Sequence, residues 1–128
     1  MTKLEFPQPE GVAPGNGYSH VVTGTGQWVA ISGQVALDAD GKFVGVGDPA
    51  AQAEQVFANL ERCLATVGAT FDDVVKLTYF VTDIGHLPAV RTVRDKYLPG
   101  PKPASTAVQV AALFSPDALL EIEAFAIV

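Results

Sequence analysis

The chain holds one cysteine, one methionine, one tryptophan and two histidines in 128 residues, and these scarcities remove whole classes of function. A lone Cys63 cannot close an intrachain disulfide or supply a cysteine metal motif. It lies near Leu60, Leu64 and Val67 and reads as a small, half-buried helix residue. His20 and His86 stand apart, with no pair at metal-ligand spacing, so no metal is expected. Basic residues are few too: eight Lys and Arg against fourteen Asp and Glu leave a net charge of −6. Nucleic-acid binders gain affinity by neutralising phosphates with clustered cations. No such run occurs here, and nucleic acid is not expected as a partner. The stretch from Val21 to Leu37 is uncharged, but its Thr, Gly, Ser and Gln residues mark two short strands rather than a membrane span. The first residues lack the basic and then apolar blocks of a secretory signal, so a cytoplasmic protein is expected. Gly24-Thr25-Gly26 lacks the helix and lysine of a phosphate loop, and no nucleophile triad is apparent.

What remains is ample for a core. A chain of this length fits a single domain, residues 1–128, that buries roughly two-thirds of its unfolded surface. After an irregular lead-in over residues 1–16, Tyr18 to Val22 and Trp28 to Val35 are β-rich runs around Gly24-Thr25-Gly26, a hairpin signal. Lys42 to Val46 could pair as a short strand after the turn at Asp38–Gly41. Asp48 and Pro49 suit the N-cap and first position of a helix whose stripe is Ala53, Val56, Phe57, Leu60, Leu64 and Val67, ended by Gly68. Val74 to Thr82 reads as a central strand. A second helix is predicted from about His86 to Leu98, with Leu87, Val90, Val93 and Tyr97 inward and Pro99-Gly100-Pro101 as its stop. Ala104 to Leu113 and Leu119 to Val128 complete the strands.

This order implies an α+β fold: one mixed sheet with two helices on one face. The last strand alternates Leu120, Ile122, Ala124, Ala126 and Val128 against Leu119, Glu121, Glu123, Phe125 and Ile127. Both sides are largely apolar, and two helices cover only one of them. The second face is therefore expected to pack against other subunits.

Glu121 and Glu123 share that second face. A carboxylate in apolar surroundings needs a partner or a wet cleft. Two readings stay open: a general base that positions water, or an intersubunit ion pair or solvated strand end. Ser32-Gly33-Gln34 ends a strand with small residues that let backbone approach a ligand, or is an ordinary strand exit. Tyr18, after Gly15-Asn16-Gly17, is a ligand contact or a half-buried anchor.

Six motifs in order give these separate signals a common frame. They are Gly17-Tyr18-Ser19; Ile31-Ser32-Gly33-Gln34; Gln55-Val56-Phe57-Ala58-Asn59-Leu60; Asp73-Val74-Val75-Lys76; Pro103-Ala104-x-Thr106 with Val108-Gln109-Val110; and Glu121-Ile122-Glu123-Ala124. Together they resemble the YjgF/RidA family over nearly the whole chain. The resemblance implies a fold like Bacillus-type chorismate mutase, a homotrimer with clefts between subunits, and hydrolysis of imines and enamines without metal or cofactor. It also implies that Tyr18 and Ser32 line the cleft, Gly33 offers close backbone and Glu121 places the water; Thr106 is a further candidate to orient the ligand. Some relatives bear an endoribonuclease label, which the acidic charge argues against here.

The chain departs from the family pattern at three positions. Ser105 stands where deaminating members carry an arginine that clamps the substrate carboxylate. Ala107 stands where cysteine is frequent, and Arg91 where asparagine is. Strand alternation points Ser105 and Ala107 the same way, so one cleft wall becomes wider and less charged. Losing a bidentate charge-assisted pair costs about 3–6 kcal/mol, or roughly 10²–10⁴ in affinity. Simple 2-imino acids are therefore poor candidates. The expected function is hydrolysis of a different imine-, enamine- or carbamate-like metabolite; the alternative is a non-catalytic module binding a metabolite or a protein. Arg91 is either a relocated cation for an anionic ligand or an exposed helix arginine, with Lys102 as another source of charge.

Overall fold

The computed structural model describes residues 4–128. The first helix, α1 (Pro49–Thr66), starts where the sequence predicts: Asp48 is extended, and its Oδ1 accepts from the Ala51 N–H at 3.1 Å, with Pro49 opening the helix. It stops at Val67, and Gly68 then adopts φ +75°, which a β-carbon disfavours. Gln52, Ala53, Val56, Phe57, Leu60 and Leu64 make its buried stripe, while Val67, the last residue of the expected stripe, is exposed. The second helix, α2 (Leu87–Tyr97), follows a 3₁₀ turn at Ile84–His86 and buries Leu87, Val90 and Val93.

Four strands form the main sheet: β3 (Trp28–Gln34), β4 (Val74–Val81), β5 (Ala104–Gln109) and β6 (Leu120–Ile127), in the order β3-β6-β4-β5. The β3/β6 and β6/β4 pairs are antiparallel and the β4/β5 pair is parallel, so the sheet is mixed. The parallel pair needs a crossover, which α2 supplies. Leu77, Tyr79 and Val81 of β4 share the helix-covered face with Leu120, Ile122, Ala124 and Ala126 of β6, and α1 and α2 close the core over them.

The expected hairpin does not form. Thr23–Gly24 (β2) pairs instead with Leu4–Glu5 (β1) in a separate two-stranded sheet, so part of the expected irregular lead-in is a strand. Residues 1–3 of that lead-in lie outside the described residues. The turn chemistry at Gly24-Thr25-Gly26 is genuine, but pairing distant in sequence overrides it. Tyr18 to Val22 is not a strand either; only Ser19 bridges, to Ala104. Lys42 to Val46 contributes a single bridge, Leu37 to Phe43, rather than a strand. β5 ends at Gln109, short of the expected Leu113.

Candidate functional site

Two places in the fold gather the chemistry, and they lie on opposite sides of the sheet. The first is a bulge in β3. Pairing with β6 runs in step to Ile31 and resumes at Gln34, leaving Ser32 and Gly33 out of register. Gly33 is required there by space: a β-carbon would fall 1.9 Å from Glu121 Oε2 and 2.8 Å from its Cγ. The Glu121 carboxylate thus lies directly against the bulge on the face the helices leave open. No ion pair or hydrogen bond engages it among the described residues. Glu121 is opposite Phe80, and Glu123 is opposite Thr78 on the same face.

The second place is a narrow cavity of about 60 Å³ between α2, β4 and β5. Parallel pairing sets Ser105 beside Leu77 and Ala107 beside Tyr79, so both serine and alanine point to the helix side. Tyr18 reaches them because its segment is tied to the start of β5: Ser19 N donates to Pro103 O at 3.1 Å and Ser19 Oγ to Lys102 O at 2.6 Å. Arg91 and Arg94, three residues apart on α2, close the cavity from above. An open groove of about 610 Å³ continues outward past Arg91, Arg94, Asp95 and Lys102.

Arg94 is held firmly. Its Nε and Nη2 donate to Asp95 Oδ1 at 3.0 and 2.9 Å, and its side chain is only 12% exposed. That hydrogen bond, with the Arg94 and Lys102 charges, holds the Asp95 carboxyl below the ordinary range. Tyr79 is buried under the arginines; its hydroxyl lies against the Arg94 guanidinium and finds no acceptor for its O–H among the described residues. Burial pushes the phenol up to about 12, against the downward pull of the Arg94 and Arg91 charges.

Ser32, Gly33 and Glu121 therefore come together, as do Tyr18, Arg91, Ser105 and Ala107. A single protomer does not bring the two groups to one another, because β4 separates β5 from β6 and the side chains face opposite ways. Thr106 joins neither; it points to the open face, where its Oγ1 accepts from Lys76 Nζ at 2.7 Å. Sequence reasoning missed Tyr79, Asn16 and Arg94. The three-residue spacing of the two arginines was the available signal. No group of three His, Cys, Asp or Glu side chains that could hold a metal occurs among the described residues.

The family model described as Endoribonuclease L-PSP matches residues 9–128. The chain belongs to this family, the YjgF/Rid proteins. The protein DfrA of Myxococcus xanthus is 38% identical over 93% of this chain and 88% of its own length. The 3-aminoacrylate deaminase RutC of Acinetobacter baylyi is 36% identical over 92% of this chain and 93% of its own. Among solved structures, the Rid-family protein YyfB of Yersinia pestis, itself of unknown function, superposes with a TM-score of 0.89. It shares 37% identity across 99% of this chain and all of its own. The α+β arrangement, two helices on a mixed sheet, is thus that of YjgF/Rid structures. No helix is long and apolar enough to cross a membrane among the described residues.

Proposed function

We propose that this YjgF/Rid protein hydrolyses an imine- or enamine-type metabolite other than a simple 2-imino acid, in clefts between the subunits of a cytoplasmic homotrimer. The Glu121 carboxylate seated on the Gly33 bulge carries this reading: it is a base on an open face, without an ion pair among the described residues and next to the bulged backbone. In the reaction, Glu121 takes a proton from a water as that water's oxygen attacks the C=N carbon. The C=N electron pair moves to nitrogen, which receives the proton. Collapse of the resulting amino alcohol breaks the C–N bond, releases ammonia and leaves a carbonyl. No cofactor is needed, since water and imine balance carbonyl and ammonia. An enamine enters the same sequence after protonation at carbon. The RutC relative's name points to this class, because 3-aminoacrylate carries its amino group on a C=C bond.

The opposite facing of the two site halves supports assembly between subunits. Glu121 of one copy can meet the Ser105 side of another only if the edge strand β5 of the second copy reaches the open face of the first. That face is suited to being covered. Trp28 is 60% exposed there and stacks on Phe125 at 5.2 Å, and Val108 is exposed on β5. These features fit a chorismate mutase-like trimer built from single-domain chains, with Tyr18, Ser32, Thr106 and Ala107 around the ligand. The net charge of −6 stands against an RNA substrate.

A second reading, a non-catalytic binding module on the same scaffold, is favoured by Ser105 alone. Ammonia release from a panel of imines generated in situ separates the two. The hydrolase reading predicts acceleration over buffer for at least one bulkier member and little for 2-iminobutanoate. It further predicts that Ser105→Arg raises activity on 2-iminobutanoate by roughly 10²-fold or more. No acceleration by either protein on any member favours the binding module.

A further inference from the structure

The cavity beneath Arg91 and Arg94 presents more donors than the described residues accept from. Tyr79 contributes an O–H that burial keeps protonated; its oxygen lies against the Arg94 guanidinium, and the O–H finds no acceptor among the described residues. Leaving such a donor unmade is costly, and an acceptor on a ligand would offset that cost. Arg94 spends two of its N–H groups on Asp95 and keeps the others. Arg91 has no ion-pair partner among the described residues. Ser105 adds a hydroxyl from below. In a chain of net charge −6, three of the eight Lys and Arg line this cavity and the groove outside it.

Charge and size narrow the occupant. Arg91 and Arg94 line the cavity, and in the groove outside Lys102 offsets Asp95, so the cavity favours an anion. A planar carboxylate can accept from both guanidinium groups at once. The cavity volume, about 60 Å³, suits one small group, and the apolar wall of Leu87 and Ala107 suits the carbon next to it. The rest of a ligand can extend into the open groove past Lys102.

We infer that this cavity is a carboxylate subsite, in which the Tyr79 hydroxyl and the Arg94 and Arg91 guanidinium groups grip the anionic end of a small molecule. The inference stands on the cavity alone and does not require the hydrolytic reading. Where that reading holds, it makes the substrate an acid whose carboxylate is bound from the α2 side rather than from the position of Ser105.

Butyrate and its neutral counterpart butyramide test this by titration calorimetry and by chemical-shift mapping of the intact protein, with inorganic phosphate as the competing anion. Saturable butyrate binding that shifts the Arg94 Nε–H resonance, with no binding of butyramide, is expected. Affinity should fall at least about tenfold in Tyr79→Phe, which keeps the ring, and further in Arg94→Gln. Absent butyrate binding, equal binding of the amide, or unaltered affinity in a folded Tyr79→Phe would each overturn the assignment. Phosphate binding more tightly than butyrate would overturn the choice of carboxylate. The assay reads no turnover, so its outcome is separate from that of the ammonia assay.

Discussion

Tyr79 is a single residue on which stability and binding make opposite demands. Its ring completes the core, while its hydroxyl is dehydrated and finds no acceptor among the described residues. Removing such a hydroxyl without changing shape is neutral or favourable to the unliganded protein. Tyr79→Phe should therefore leave stability unchanged or raise it by up to about 1–3 kcal/mol, measured by urea unfolding, while weakening anion binding. The same phenol predicts a pH signature. In the unfolded chain it ionises near its ordinary value of 10.0, and in the folded protein near 12. The native state thus holds the proton more tightly. The associated stability is complete below pH 10 and is lost as pH rises through about 12. Wild type should lose stability relative to Tyr79→Phe across that window, and parallel curves would mean that the hydroxyl is not buried as described. Gly33 carries a comparable burden at the other site, where any side chain would displace the Glu121 carboxylate.

Among the elements, α1 does more than cover the sheet. Gln52 is its one fully buried polar side chain, and all its bonding capacity in view goes to loops. Its Nε2 donates to Gly45 O at 3.2 Å and Asp117 O at 2.8 Å, and its Oε1 accepts from Leu119 N at 2.9 Å. The last contact lies immediately before β6, so α1 sets where the Glu121 strand begins. Gln52→Leu preserves volume and strands Asp117 O and Leu119 N, while Gly45 O keeps its bond from Asp48 N; it should cost at least about 1–3 kcal/mol in urea unfolding. A change within about 0.5 kcal/mol would show that water replaces these bonds. Much at this scale is legible in the sequence. Asp48, Pro49, the apolar stripe and Gly68 define α1 by short-range rules, and both cores of β4 and β6 follow from alternation. The β1–β2 pair is not legible, because Gly24-Thr25-Gly26 signals a local turn while the partner of Thr23 is Glu5, far back in the chain. The division of the candidate site between two faces escapes for the same reason. Alternation puts Ser105 with Ala107, and Glu121 with Glu123. Only the strand order β6-β4-β5 determines which side of the sheet each pair takes. Arg94 escapes too, because its shielding depends on contacts with Asp95 and the segment that carries Gly17 and Tyr18.

The whole molecule is asymmetric in the way its parts invite partners. The helix face is closed by α1 and α2, and its cavity offers uncompensated positive charge within an acidic protein. The opposite face carries Glu121, Glu123 and exposed aromatic surface, and neither helix covers it. A small molecule touching both halves has to sit where two copies meet, which links the proposed trimer to the proposed reaction. Ser105 then bears on which acid or imine fits, while Glu121 bears on whether any is hydrolysed. The most direct test is the rate of ammonia release by wild type and Glu121→Gln on the same panel of in-situ imines. The proposal predicts a wild-type rate above buffer for at least one member. It also predicts a fall of roughly 10²–10⁴-fold in Glu121→Gln, with unfolding midpoint and subunit mass unchanged. Equal rates in the two proteins, or no release above buffer by wild type on any member, would contradict it.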